Sequence, residues 1–364
     1  MPLLTVFVAA VLIYAVLWDA FETIVLPRRV PRGIRLSRLY YRSTWRPWSA
    51  VIGRLPDSAQ REWYLSVFGP LSLIMLLGFW ATLLIFGFAL LHWGLGTEFS
   101  APEGKPDFGG VLYFSGVTFF TLGFGDINVR NGLGRALAVL EGGTGFAFLA
   151  AMISYLPVLY QAFSQREASI SMLDARAGSP PSAGELLRRS GQTGDLESLN
   201  PLLHDWERWS AQLLESQLSY PVLAYFRSQH DRQSWLAALT CVLDSCALVM
   251  VGVEGLPRRQ AQLTFAMARH AAVDLSQVFR QRPAPPADRL PPDELRRLRT
   301  VLEVASVPLR DAAVADRALE KLRAMYEPYV NALAGYLLMP LPPWLPDEAA
   351  IDDWLETPWN VPSD

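Results

Sequence analysis

The chain has 364 residues, 51% of them hydrophobic, and a positive mean hydropathy. This length allows two or three structural units, and this composition argues against a purely soluble protein. The net charge of −3 decides little, but two cysteines and four histidines exclude a disulfide framework and a histidine–cysteine metal cluster. The apolar residues crowd into the first 163 positions, which predicts a membrane part followed by a soluble helical part.

Three apolar segments are long enough to cross a bilayer, which takes about 20 residues. They cover roughly residues 3–26, 64–93 and 134–160. The first segment lacks a basic region before it and a small-residue cleavage site after it. We therefore expect a retained membrane helix there rather than a signal peptide that is removed.

Arginine is enriched between the first two spans, where nine arginines accompany only Asp57 and Glu62. The nine are Arg28, Arg29, Arg32, Arg35, Arg38, Arg42, Arg46, Arg54 and Arg61. Nucleic-acid binding is another use of a basic run, but its place between apolar spans favours a positive-inside topology signal. The N-terminus is then predicted outside the cell and the C-terminus in the cytoplasm.

The same segment interleaves arginines with apolar residues, which suits a helix lying in the inner headgroup layer. The apolar positions are Leu36, Leu39, Tyr40, Trp45, Trp48, Val51 and Ile52. A solvated basic loop is the alternative. Asp19 and Glu22, near the inner end of the first span, are candidates to pair with Arg28, Arg29 or another arginine of this side, or simply to anchor the span at the interface.

A shorter apolar run, residues 108–120, lies between the second and third spans. It is too short to cross and leads at once into a glycine-bearing turn, as re-entrant segments do. Asp107 is a good N-cap for a helix that begins at Phe108. The C-terminal end of that helix would carry partial negative charge, which stabilises a dehydrated cation.

Residues 121–126 read Thr-Leu-Gly-Phe-Gly-Asp. An ion filter replaces water with successive backbone carbonyl oxygens that point to one axis. That arrangement needs alternating backbone handedness, and Gly123 and Gly125 reach the left-handed region without steric cost. We expect Leu122 and Phe124 to point away from the axis.

These six residues resemble the Thr-Val-Gly-Tyr/Phe-Gly-Asp filter of the potassium channel superfamily. Residues 64–163 resemble the two-transmembrane pore module of its bacterial members: outer helix, turret at 94–107, pore helix, filter and inner helix. The resemblance implies K⁺ sites at the carbonyls of Thr121, Leu122, Gly123 and Phe124 and at the Thr121 hydroxyl. It also implies a carboxylate ring of Asp126 at the outer mouth and a location in the inner membrane.

Four positions depart from the commonest pattern. Leu122 replaces valine or isoleucine, and Phe124 replaces tyrosine and so has no hydroxyl to bond the pore helix. Phe120 stands where threonine is frequent, and Val117 stands where some members carry an acid. These changes bear on the rigidity of the filter rather than on ion coordination. One filter segment per chain implies a homotetramer with fourfold symmetry.

The third span contains Gly142, Gly143 and Gly145, which are candidates for a gating hinge because glycine weakens a helix by about 1 kcal/mol relative to alanine. Close helix packing is the equal alternative. Glu141 precedes them, and an acid inside a span is a functional candidate by default. A bond to the neighbouring chain behind the filter is its simpler role.

The remainder predicts a helical cytoplasmic domain at residues 164–339, with a loop at 178–184. Its helices are expected near 198–217, 219–230, 233–253, 257–281, 293–306 and 310–338. The apolar stretch 235–253 is interpreted as a buried core helix, not a fourth span.

Residues 340–364 form an acidic tail without Lys or Arg, in which Asp347, Glu348, Asp352, Asp353 and Glu356 lie among Trp344, Trp354 and Trp359. We hypothesise that it docks on the Arg28–Arg61 segment; an unstructured tail is the alternative.

The sequence therefore predicts an all-α membrane protein with five parts: 1–27, 28–63, 64–163, 164–339 and 340–364. It predicts a homotetrameric, potassium-selective channel gated by or through the helical domain, not an enzyme, with no cofactor besides the permeant K⁺. Membrane lipid and an unidentified cytoplasmic ligand or protein are the expected partners, and nucleic acid is not. The alternatives are a weakly selective cation channel and a non-conducting membrane receptor or scaffold.

Overall fold

The computed structural model describes residues 2–26, 35–56, 58–102, 104–192, 194, 196–230, 232–253, 258–285, 288–310 and 313–346. The described chain is mostly helical. It divides into a first unit, Met1–Val51 with Val67–Gln161, and a second unit, Ile52–Ser66 with Ala162–Asp364.

Three helices of the described chain are long and apolar enough to cross a membrane, and they coincide with the three predicted spans. They are α1 (Pro2–Ile24), α3 (Ala59–Gly94) and α5 (Gly132–Ala177). The last continues well beyond the predicted end near residue 160, with Pro157 inside it. Hydrophobicity marks only the membrane stretch, whereas the helix itself runs on into its polar continuation.

The shorter elements of the first unit are α2 (Leu36–Ile52), α4 (Phe108–Phe119) and two short strands. The strands, β1 (Phe99–Ser100) and β2 (Asn128–Val129), pair antiparallel and join the stretch before α4 to the stretch before α5. A core of buried apolar side chains from α1, α3, α4 and α5 holds this unit together. Its members include Val16, Leu76, Trp80, Leu84, Phe119 and Met152.

The second unit is a helical assembly in which α8 (Trp235–Val251) lies at the centre. Around it are α6 (Ala183–Gln192), α7 (Leu199–Ser219), α9 (Arg258–Val278), α10 (Pro292–Val304), α11 (Ala313–Ala324) and α12 (Glu327–Leu337). All of α8 is buried except its last two residues, Met250 and Val251. The interpretation of this stretch as a core helix is thus confirmed.

Three local predictions in this unit were wrong. The expected helix at 219–230 is only a short 3₁₀ turn, Pro221–Tyr225, followed by extended chain. The expected helix at 310–338 is two helices, with Pro328 in the first turn of the second. The expected loop at 178–184 ends early, because the Ser182 hydroxyl accepts from the Glu185 amide and α6 begins at Ala183.

Trp344, which the sequence assigned to the tail at 340–364, is packed into the second unit. Trp344 is fully buried, its carbonyl accepts from the Gly184 amide at 2.9 Å, and its ring faces the Arg289 and Arg323 guanidinium groups. The six acids of the tail lie outside the described residues, so the docking of the tail on the arginine segment stays a prediction.

Candidate functional site: the segment between α4 and α5

The N-terminus of α4 begins as its sequence predicts. The Asp107 carboxylate accepts from the Gly110 amide at 2.8 Å, so the N-cap is confirmed. A side-chain oxygen there satisfies one of the amides that the first helical turn leaves unpaired. The cap fixes the first residue of α4 and therefore helps to set the position of the residues that follow its C-terminus.

The C-terminus of α4 closes in a Schellman motif. The Leu122 amide donates to the Val117 carbonyl at 2.9 Å, and the Thr121 amide donates to the Thr118 carbonyl at 3.0 Å. This motif needs a left-handed residue after the cap, a place that glycine normally takes. Here Thr121 takes it, with φ of 56°. These bonds occupy carbonyls of the last turn, so fewer remain unpaired than the sequence suggested.

Backbone handedness alternates through the following residues. Thr121, Gly123 and Gly125 have φ of 56°, 61° and 78°, whereas the intervening Leu122 and Phe124 do not have positive φ. Alternation of this kind turns successive carbonyls toward the same side, which a filter of backbone oxygens requires. The prediction named the two glycines; the third left-handed position, a threonine, was not foreseen.

The side chains around this segment are unevenly packed. Leu122 and Phe124 are 56% and 66% exposed in the isolated chain. The Asn128 side-chain Nδ2 donates to the Gly125 carbonyl at 2.5 Å, which ties the end of the segment to β2. Tyr113 of α4 interacts with the exposed Asp126 carboxylate. That contact links α4 to the far end of the segment, although Phe124 has no hydroxyl to do so.

A buried polar cluster joins the three helices around the segment. Glu141 of α5 is fully buried, and its Oε2 lies 3.4 Å from Nε2 of His92 on α3. Ser115 of α4 interacts with the same carboxylate, and His92 Nδ1 lies 3.0 Å from Thr97 Oγ1. The acid therefore faces groups of its own chain. Sequence reasoning singled out Glu141 but missed His92 and Ser115, which are distant along the chain.

The three candidate hinge glycines differ in their surroundings. A Cβ on Gly145 would lie 1.8 Å from the Phe119 carbonyl oxygen, and one on Gly142 would lie 3.6 Å from that of Thr118. A Cβ on Gly143 would meet nothing within 4 Å. Gly145 is thus needed for close approach of α5 to the end of α4, and α5 runs through all three without interruption.

Asp19 and Glu22 lie in a second buried cluster, at the end of α1. The Ser37 amide and the Trp80 indole donate to Asp19 Oδ2 at 2.9 and 3.0 Å, and the Ser37 hydroxyl donates to Oδ1 at 3.1 Å. Arg35 Nε lies 3.5 Å from Glu22 Oε2. The predicted acid–arginine pairing is formed by Arg35; Arg28 and Arg29 lie outside the described residues.

Residues 74–161 match the model of a family described as ion channel. The chain contains an ion channel domain. The matched range begins within α3 and ends within α5, so the ion channel domain includes α4 and the whole left-handed alternation.

Outside that domain the comparisons are less specific. An uncharacterized membrane protein of Bacillus subtilis (strain 168), YdjJ, is 24% identical over 236 residues, which is 63% of this chain and 67% of that protein. No solved structure matches.

Proposed function

We propose that the chain is one subunit of a homotetrameric, potassium-selective channel of the inner membrane. The observation that carries the proposal is the alternating backbone handedness from Thr121 to Gly125, directly after a capped short helix and inside an ion channel domain. K⁺ would bind between the carbonyls of Thr121, Leu122, Gly123 and Phe124, with the Thr121 hydroxyl at the inner end.

One chain supplies one such row of oxygens, whereas a dehydrated ion must be surrounded. Four copies around an axis close the ring. The exposed Leu122 and Phe124 side chains support this, since a second shell of helices would cover them. Large apolar residues of α5, among them Val139, Phe146 and Ile153, are also exposed and suit neighbouring helices or lipid. The ring of Asp126 carboxylates would concentrate cations at the outer mouth.

The second unit is proposed to control opening through Arg166, which lies on the continuation of α5 beyond residue 161. This guanidinium is buried and donates to the Leu223 and Phe226 carbonyls at 2.8 and 2.9 Å. The Phe163 and Phe226 rings pack with centroids 5.6 Å apart. A movement of residues 223–227 would therefore displace α5, the helix that packs against α4 at Gly145.

The same segment also holds the first turn of α3. Arg227 donates to the Leu337 and Leu338 carbonyls at 2.7 and 3.0 Å, and its Nη1 lies 3.7 Å from Glu62 Oε2. Burial lowers the pKa of Arg227 to about 10, against the opposing effect of Glu62. Segment 223–227 thus contacts α3 before residue 74 and α5 after residue 161, on either side of the matched range, which supports gating through it.

Ion flux from liposomes tests the proposal. The purified chain should carry K⁺ in preference to Na⁺, and Ba²⁺ should block the flux. Gly123→Ala should abolish it, because alanine at φ of 61° is strained by about 1–2 kcal/mol in each chain. Gly78→Ala is the matched control: its Cβ would meet nothing within 4 Å. Equal K⁺ and Na⁺ flux would favour a weakly selective channel, and no flux under any condition a receptor or scaffold.

A further inference from the structure

One face of helix α2 packs against α3. The Tyr40 hydroxyl donates to the Ser72 carbonyl at 3.1 Å, and the Trp45 and Phe68 rings pack with centroids 4.7 Å apart. The carboxylate of Asp19, supplied by α1, accepts from the Ser37 amide in the first turn and so acts as an N-cap from another helix. These contacts fix the rotation of α2, so its opposite face is a defined surface.

That opposite face combines two kinds of exposed side chain. Leu39 is 60% exposed, and Arg42 and Arg46 are exposed beside it. Positions 39, 42 and 46 follow helical spacing and share one side of α2. Residues 35–56 contain no acid. Within the described part of the chain, neither Arg42 nor Arg46 has a carboxylate at ion-pair distance.

Each property of this face points to the boundary of a bilayer. Exposed aliphatic side chains enter the acyl region, while arginines extend their charged ends to the headgroups. A guanidinium matches a phosphate through two parallel hydrogen bonds. We propose that this face of α2, Leu39, Arg42 and Arg46, binds the headgroups of anionic phospholipids. The inference goes beyond conduction, so its test measures lipid binding and not flux.

The experiment is a titration of the whole chain in neutral detergent with dioctanoyl phosphatidylglycerol or dioctanoyl phosphatidylcholine. Both lipids carry a phosphate, but only the first has a net negative charge. A ligand that binds only the folded state raises the unfolding temperature, and at a given concentration the rise is larger for the tighter ligand. The wild type should bind phosphatidylglycerol more tightly, and the preference should shrink as NaCl is raised. Inorganic phosphate at the same concentration should have no effect.

The decisive variant is Arg42→Gln/Arg46→Gln, and Arg258→Gln/Arg259→Gln is its control. The control makes the same charge change at exposed positions of α9. Each basic residue near an anionic surface contributes roughly a factor of five, so the α2 variant should bind about 30-fold more weakly. The control should bind as the wild type does. Without lipid, both variants should unfold at the wild-type temperature, since all four side chains are exposed.

Three results would overturn the proposal. The first is equal affinity for the two lipids, and the second is a preference that survives in the α2 variant. The third is a preference that appears only after residues 347–364 are removed, which would mean that the acidic tail occupies this face instead of lipid.

Discussion

Gly145 offers a sharp test of how α5 meets the end of α4. A Cβ at this position would lie 1.8 Å from the carbonyl oxygen of Phe119 and 2.7 Å from its carbonyl carbon. Both atoms belong to the backbone, so no side-chain rotation relieves the clash. The separation must nearly double to reach the 3.4 Å at which ordinary van der Waals contact begins.

The expected cost of Gly145→Ala is about 1–3 kcal/mol in each chain, the usual range for overpacking a filled interior. In a tetramer that cost is incurred four times. Phe119 is the last residue of α4 and precedes the first left-handed residue by two positions. A displacement of its carbonyl therefore reaches the proposed ion sites almost undiminished. We expect Gly145→Ala to unfold at a lower temperature and to lose most K⁺ flux.

Gly143→Ala is the matched control, two positions away in the same helix. Its Cβ meets nothing within 4 Å in the isolated chain, and alanine favours the helix by about 1 kcal/mol. It should unfold at the wild-type temperature or slightly above it and, if the glycines serve packing, retain its flux. Wild-type flux and stability in Gly145→Ala would refute the close approach. Loss of flux in Gly143→Ala alone would instead favour a hinge.

Three other substitutions test contacts that are not evident from the sequence. Arg166→Gln should alter open probability at unchanged unitary conductance in single-channel recordings. Arg176→Gln should not, because Arg176 is an exposed residue of the same helix that bonds the Met172 carbonyl one turn earlier. Glu141→Gln should lower the unfolding temperature more than Ser115→Ala does, since the serine variant keeps the histidine contact; equal effects would contradict the central place of the carboxylate. Glu185→Gln should cost about 1.5–3 kcal/mol at pH 7, by thermal unfolding. Burial opposes the shift, but two arginine partners hold the pKa of Glu185 below 4.5, so its contribution is present at neutral pH and disappears as pH falls below that value. The difference from wild type should therefore shrink at pH 3.

Features set by neighbouring residues were predictable from the sequence. The three spans follow from apolar length, and the Asp107 cap follows from one side chain beside one helical turn. The two filter glycines follow from the conformations that only glycine adopts freely. The left-handed conformation of Thr121 was not predicted, because glycine is the residue that normally identifies such positions. The Schellman hydrogen bonds hold a threonine there at a cost of about 1–2 kcal/mol.

Features set by distant partners were not predictable. The 219–230 stretch was predicted to be a helix, yet Arg166 donates to the Leu223 and Phe226 carbonyls, which a helix would use internally. His92 and Glu141 lie on different helices, and the local sequence around either residue does not indicate that the two are in contact. Trp344 looked like part of a tail because its neighbours are prolines and acids, but its ring completes the interior of the second unit.

The double role of Thr121 has a mechanical consequence. It is at once the residue that terminates α4 and the first residue of the alternating segment, so no spacer separates the two. The segment is a continuation of a helix terminus rather than a loop suspended between helices. Fraying of the last turn of α4 would release the Leu122 and Thr121 amides together, and loss of the helix end and collapse of the ion sites would be a single cooperative event.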